Sequence, residues 1–174
     1  MMPPEVEHLL RECCESKTWP LVMTGPPGVG KSTLAALAFM GWIGNATFLK
    51  AAAAASNLKQ AEFEGVTLPG AIDSVRDGHL IRRWCHATDL LVIDDLTNGH
   101  QFENQAKAAL WRIIDERAGR PAIYTANGSP EDLAAWLGRS TADRLFHGRR
   151  LHWLGASHRT ERLSQRTTVI RANA

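Results

Sequence analysis

A chain of 174 residues, 44% of them hydrophobic and 22% charged, with a formal net charge of +2, has the composition of one compact domain with a sizeable core, which excludes a disordered chain. No run of 18 apolar residues is present, so the sequence offers no membrane span, and the opening MMPPEVEHLL, with Glu5 and Glu7, predicts no export signal. Cys13, Cys14 and Cys85 are then expected to be reduced thiols of a cytoplasmic protein, and without a CxxC pair or clustered histidines no zinc site is expected. Charge is unevenly placed. Residues 1–138 hold 12 Lys and Arg against 16 Asp and Glu, whereas residues 139–174 hold 8 Arg against only Asp143 and Glu161. A basic segment made entirely with arginine suits an anionic partner, with a solvated surface as the alternative.

In chain order, residues 3–17 place Val6, Leu9, Leu10 and Cys13 at helical spacing, which predicts a short amphipathic helix. Trp19-Pro20 ends it, and residues 21–24 read as a brief buried strand. Residues 25–30 are a glycine-proline loop, 31–40 a helix apolar nearly all round, and 46–50 a second strand. Helix formers within 51–65 predict a helix from about Ser56; Pro69, Gly70 and Gly78 predict a loop over 66–78; and 79–86 reads as a short helix with basic residues on one flank. Residues 89–96 (DLLVIDDL) are a continuous apolar run ending in two acids, the pattern of a parallel strand buried on both faces. Residues 103–118 give the clearest amphipathic helix, with Ala106, Leu110, Ile113 and Ile114 on one face, and 120–126 another strand. Ser129 to Asp132 read as a helix start, with an N-cap serine, a first-turn proline and acids at the positive end of the dipole. That helix stops at Gly138; a short helix over 141–146 and a strand over 150–154 follow. Strands alternating with helices specify an α/β fold whose mostly parallel sheet is covered on both faces, with no internal repeat and no interdomain linker.

Residues 25–32 (GPPGVGKS) match G-x-x-x-x-G-K-[ST], entered by an apolar strand and left by an apolar helix. In the loop made by Gly25, Pro26, Pro27, Gly28, Val29 and Gly30, the glycines at 28 and 30 admit conformations that aim several N–H groups at one phosphate. The helix N-terminus adds partial positive charge at the same point. Lys31 is suited to the β- and γ-phosphates, Ser32 to Mg2+ and Thr33 to the α-phosphate, so ATP and Mg2+ are the expected cofactors. A glycine-rich turn with a chance lysine is the alternative, and it leaves an eight-position match in the right context unexplained. Asp94, delivered by a buried strand to the edge where open α/β sheets bind ligands, is expected to hold Mg2+ through a water. Asp95 is expected to orient or deprotonate the attacking water, or else to cap a helix or loop.

The order of these motifs resembles the DnaC/DnaI/IstB group of AAA+ ATPases: residues 25–33, LLVIDDL, an amphipathic helix, IYTAN ending at Asn127, PEDLAAWLG, ADRL around Arg144, and GASHR ending at Arg159. The resemblance covers roughly residues 18–160. It implies a three-layer P-loop AAA+ fold with a five-stranded sheet and a minimal or absent lid. It also implies ATP hydrolysis at subunit interfaces of a ring or spiral homo-oligomer. The implied role is a helicase-loader-like one in DNA replication, on single-stranded DNA and a replicative helicase, in a bacterial or phage-infected cytoplasm. A transposase helper of the IstB kind is the alternative partner assignment.

For single residues, the resemblance implies that Asn127 is the polar sensor positioned between Asp94 and the γ-phosphate, with a turn role before Gly128 as alternative. Arg144 is implied as an arginine finger aimed at a neighbouring subunit's ATP, with Arg139 the second candidate and an ion pair to Asp143 or Asp132 the alternative. Arg159 is implied as a sensor-2-like contact. The group's single-strand-binding insertion falls here on 56–86, where Arg82 and Arg83 are candidates for phosphates and Trp84 for a base, or for the core. Residues 1–17 are expected to be a short helix in partner contact where loaders carry a whole domain, and 161–174 a basic tail. A P-loop small-molecule kinase, with 139–171 as a lid, is a further reading; the paired acids and Asn127 favour hydrolysis.

Overall fold

The structure is a computed structural model that describes residues 4–51, 54, 82–96 and 104–153. The helix expected over 56–65, the loop over 66–78, Arg159, the lid and the tail 161–174 lie outside the described residues. Among the described residues the elements are, in order, α1 (Pro4–Ser16), β1 (Leu21–Thr24), α2 (Lys31–Gly41), β2 (Ala46–Lys50), a π-helical turn (Arg82–His86), β3 (Leu90–Asp94), α3 (Asn104–Glu116), β4 (Ala122–Thr125), α4 (Pro130–Leu137), α5 (Arg139–Phe146) and β5 (Arg149–His152). The strands form one five-stranded sheet in the order β2-β3-β4-β1-β5, and every neighbouring pair is parallel. Among the described residues, no helix is long and apolar enough to cross a membrane.

Two-residue alternation along the strands divides the core into two layers. Leu90 and Val92 of β3, with Leu21, Met23 and Ile123, pack on Val6 and Cys13 of α1 and on Leu34, Ala35 and Ala38 of α2. Leu91 and Ile93, with Val22, Ala122 and Tyr124, pack on Leu110, Ile113 and Ile114 of α3, Leu133 and Leu137 of α4, Leu145 of α5 and Trp84 of the π-helical turn. All five residues of β3 are buried, as its unbroken apolar run requires. The inner face of α1 belongs to this core, and Glu12 of α1 pairs with Arg149 of β5 at 3.7 Å. The outer face of α1 carries Glu7, His8, Arg11 and Glu15, all exposed.

Boundaries depart from expectation for local reasons. Strand β3 stops at Asp94 because Asp95 turns to φ 66. Helix α5 begins at Arg139 rather than 141, because Gly138 (φ 85) is at once the C-cap of α4 and the N-cap of α5. Helical backbone is already present at Ala51 and Ala54, ahead of Ser56. The start of α4 is as expected: the Ser129 hydroxyl accepts from the Asp132 N–H at 3.1 Å, and the Asp132 carboxylate accepts from the Ser129 N–H at 3.0 Å.

One buried charge has no counterpart in the sequence reading. Arg117, 2% exposed just after α3, donates from Nη1 to the carbonyls of Cys85 (2.8 Å) and Thr88 (2.7 Å). Its Nη2 donates to the carbonyls of Asp89 (2.6 Å) and Pro121 (2.7 Å), and Nε also reaches Pro121 (3.2 Å). The guanidinium thus ties together the chain entering β3 and the chain entering β4, at the amino edge of the sheet. A buried cation is tolerated only when its donors are satisfied, and here backbone carbonyls satisfy it.

Candidate active site

The opposite, carboxyl edge gathers the candidate site residues. Thr24 ends β1, and Gly25 turns the chain at φ 139. The Gly25 N–H donates to the Gly128 carbonyl (3.0 Å) and the Gly128 N–H donates back to the Gly25 carbonyl (3.2 Å), while on the other flank the Trp153 N–H donates to the Thr24 carbonyl (3.0 Å). The first loop residue is therefore clamped between the ends of β4 and β5. A Cβ on Gly25 would lie 2.8 Å from the Trp153 carbonyl oxygen, so only glycine fits there. Gly28 (φ 86) and Gly30 (φ 100) also adopt left-handed backbone, and Gly30 is the N-cap of α2.

Val29 is buried within the loop and Lys31 is 5% exposed. The Lys31 ammonium donates to the carbonyls of Gly25 (2.9 Å) and Pro26 (2.7 Å). Burial lowers its pKa from the usual lysine value, and the nearby Asp95 and Asp94 only partly offset that. Ser32 and Thr33 stand exposed in the first turn of α2.

Asp94 is fully buried. Its Oδ1 accepts from the Thr125 hydroxyl at 2.6 Å, its Oδ2 is paired with the Lys50 ammonium, and the Ser32 hydroxyl also bonds the carboxylate. Burial by itself would raise this carboxyl's pKa; the hydrogen bonds from Lys50, Thr125 and Ser32 outweigh it and hold the group below the usual aspartate range. Asp95 follows in left-handed backbone, a conformation that costs about 1–3 kcal/mol for a residue other than glycine. Its N–H donates to the Thr125 hydroxyl (2.8 Å), and its Oδ1 accepts from Asn127 Nδ2 (2.9 Å). Thr125 and Asn127 thus hold the turn that separates the two acids.

The expected residues therefore meet: Gly25, Lys31, Ser32, Asp94, Asp95 and Asn127 share one edge. Their chemistry fits the expected cofactors. Left-handed glycines and a helix N-terminus suit a polyphosphate, and a hydroxyl bonded to a buried carboxylate is the hard oxygen pair that suits Mg2+. Lys50 and Thr125 were missed by the sequence reading. Each is the last residue of its strand, β2 and β4, beside the acids, and a polar residue closing an apolar strand at this edge was the available signal.

Two expectations change. Trp84 is 5% exposed and packed in the core beside Leu110 and Ile113, so it cannot stack on a base. Arg83 of the same turn is exposed, whereas the Arg82 side chain is outside the description. Arg144 pairs with Asp115 of α3, not with Asp143 or with Asp132, which caps α4. Arg139 is exposed in the first turn of α5.

No family model matches the chain. A stretch of 122 residues is 34% identical to the Replication factor C large subunit of Archaeoglobus fulgidus, covering 64% of this chain and 24% of that protein. Among solved structures, the replication initiator DnaA bound to AMPPCP and single-stranded DNA has a TM-score of 0.66 at 16% identity, over 93% of this chain and 51% of that one. DnaI has a TM-score of 0.51 at 17% identity, over 84% of this chain and 81% of that one. The chain spans about a quarter of the Replication factor C subunit and about half of the DnaA chain. The likeness extends across several kinds of replication protein and does not single out the DnaC-like loaders. The architecture, a five-stranded parallel sheet between helical layers with the phosphate loop after β1, is the α/β P-loop AAA+ fold.

Proposed function

We propose that the chain is a Mg2+-dependent AAA+ ATPase of DNA replication, acting in the manner of a helicase loader on single-stranded DNA and a replicative helicase. The observation that carries this reading is the Gly25–Gly128 bridge, which sets the phosphate loop beside the linked group Asp94, Thr125, Asp95 and Asn127. Residues 25–33 hold the triphosphate, with Lys31 on its terminal phosphates. Ser32 and Asp94 hold Mg2+, which when bound neutralises phosphate charge. Asp95 orients the attacking water and takes its proton, and Asn127 fixes the carboxylate that does so.

Arg144 of a neighbouring copy, with Arg139 the second candidate, completes the site as an arginine finger, a group worth about 10³–10⁵ in rate. Its pair with Asp115 is half exposed, and such pairs contribute only about 0–1 kcal/mol, so giving it up for a phosphate costs little. Arg159 is assigned a sensor-2-like contact with the nucleotide. Arg82 and Arg83 are assigned salt-sensitive contacts to single-stranded DNA, a ligand bound by the DnaA neighbour. The protein works in the cytoplasm.

The test is ATPase rate against protein concentration, with and without single-stranded DNA. Specific activity should rise cooperatively and collapse in Arg144→Ala. A concentration-independent rate, with phosphate transferred to an added metabolite, would replace this reading with a kinase.

A further inference from the structure

Lys50 closes β2 and lies in register with Asp94 across the β2–β3 ladder. The alternation that turns Ala46 and Phe48 toward the α2 layer turns Lys50 the same way, to the first turn of α2 where Ser32 meets Asp94. The Lys50 side chain is 59% exposed, yet its ammonium rests on Oδ2 of a carboxylate that is fully buried. A buried carboxylate needs a countercharge, and this one finds it within its own chain. The same carboxylate is the acid that the ATPase reading gives to Mg2+, so an ammonium and a divalent ion compete for one oxygen.

We infer that Lys50 is the resident countercharge of the metal site, holding Asp94 until a magnesium–nucleotide complex displaces it and so keeping divalent ions out when nucleotide is absent. The inference rests on the ATPase reading and adds a regulation of the same site. Displacement is easy in one direction only. The stem of Lys50 is in solvent, so its ammonium can leave into water, whereas Asp94 is fixed by Thr125 and cannot follow. A free divalent ion must evict the lysine unaided. A nucleotide complex brings phosphates that pull the ion in through the loop and Lys31.

The test uses the full chain stripped of nucleotide, with Mn2+ binding followed by electron paramagnetic resonance. An opposite charge at contact biases a carboxylate by about one to three pK units, so Lys50→Met should bind Mn2+ about tenfold tighter or more. Lys50→Arg should behave as the unaltered chain, and adding Asp94→Asn should cancel the gain. Equal or weaker Mn2+ binding by Lys50→Met overturns the inference. A second measurement needs no variant: acetylation of Lys50, read by mass spectrometry, should run faster with nucleotide and Mg2+ than with nucleotide and EDTA. An unchanged or slower rate also overturns it. If the unaltered chain fails to bind a fluorescent ATP analogue, the ATPase reading itself falls. If it binds the analogue and Mn2+ affinity ignores Lys50, only the present inference falls.

Discussion

Both edges of the sheet bury charge, Arg117 at one and Lys31 and Asp94 at the other. At the amino edge, Arg117 is satisfied by backbone carbonyls of Cys85, Thr88, Asp89 and Pro121. At the carboxyl edge, Asp94 is satisfied by the side chains of Lys50, Thr125 and Ser32. Carbonyls fixed in the chain cannot be exchanged without unfolding it, whereas two of the side chains on Asp94 belong to residues that reach solvent. One edge locks the fold, and the other is where we propose that side-chain partners give way to a ligand.

The sharpest way to break this contrast is to remove each charge. Arg117→Met removes the cationic donor from four carbonyls, of which Cys85 keeps Arg120 and Pro121 keeps the Leu91 N–H, and should cost about 3 kcal/mol, read as the urea midpoint. Asp94→Asn keeps the shape, should cost far less stability, and should abolish hydrolysis. A larger stability loss in Asp94→Asn than in Arg117→Met would reverse the assignment.

Gly25→Ala probes the clamp between β4 and β5. The added Cβ meets the Trp153 carbonyl and the backbone is at φ 139, so nucleotide binding should be lost while the far edge stays folded. Thr125→Val should cost about 1–3 kcal/mol, because Asp94 loses a bond and the Asp95 N–H is left without its acceptor. Its ATPase rate should fall more than its nucleotide affinity. Equal falls in both would mean that Thr125 supports the loop and not the acids.

The smallest effect concerns pH. Burial pushes the thiols of Cys13 and Cys85 up from 9.0 to about 11. A raised folded pKa means the native state keeps its proton longer than the unfolded chain does. Stability from these thiols is therefore complete below about pH 9 and lost as pH rises toward 11. Urea midpoints at pH 8, 9.5 and 10.5 should decline in that order, and less steeply in Cys13→Ala/Cys85→Ala. Exposed Cys14 should be the thiol that reacts first with an alkylating agent at pH 8.

Much of the site was legible because its parts are local. The loop motif, the acids ending an apolar strand and the serine–proline cap at 129–130 each declare themselves within a few residues. Trp84 did not: an aromatic beside two arginines reads equally well as a base platform or as core, and only the packing of α3 decides for core. Arg144 was ambiguous for the same reason, since its partner Asp115 lies on α3, in another part of the chain.

The sequence by itself determined the layered α/β order, the phosphate loop and the pair of acids, because each follows from periodicity or from a motif contiguous in the chain. Only the tertiary structure decided that Lys50 and Thr125 share Asp94, that Gly128 clamps Gly25, and that Arg117 joins two strand entrances. Those contacts depend on which strands lie side by side, and strand order is a property of the packed sheet.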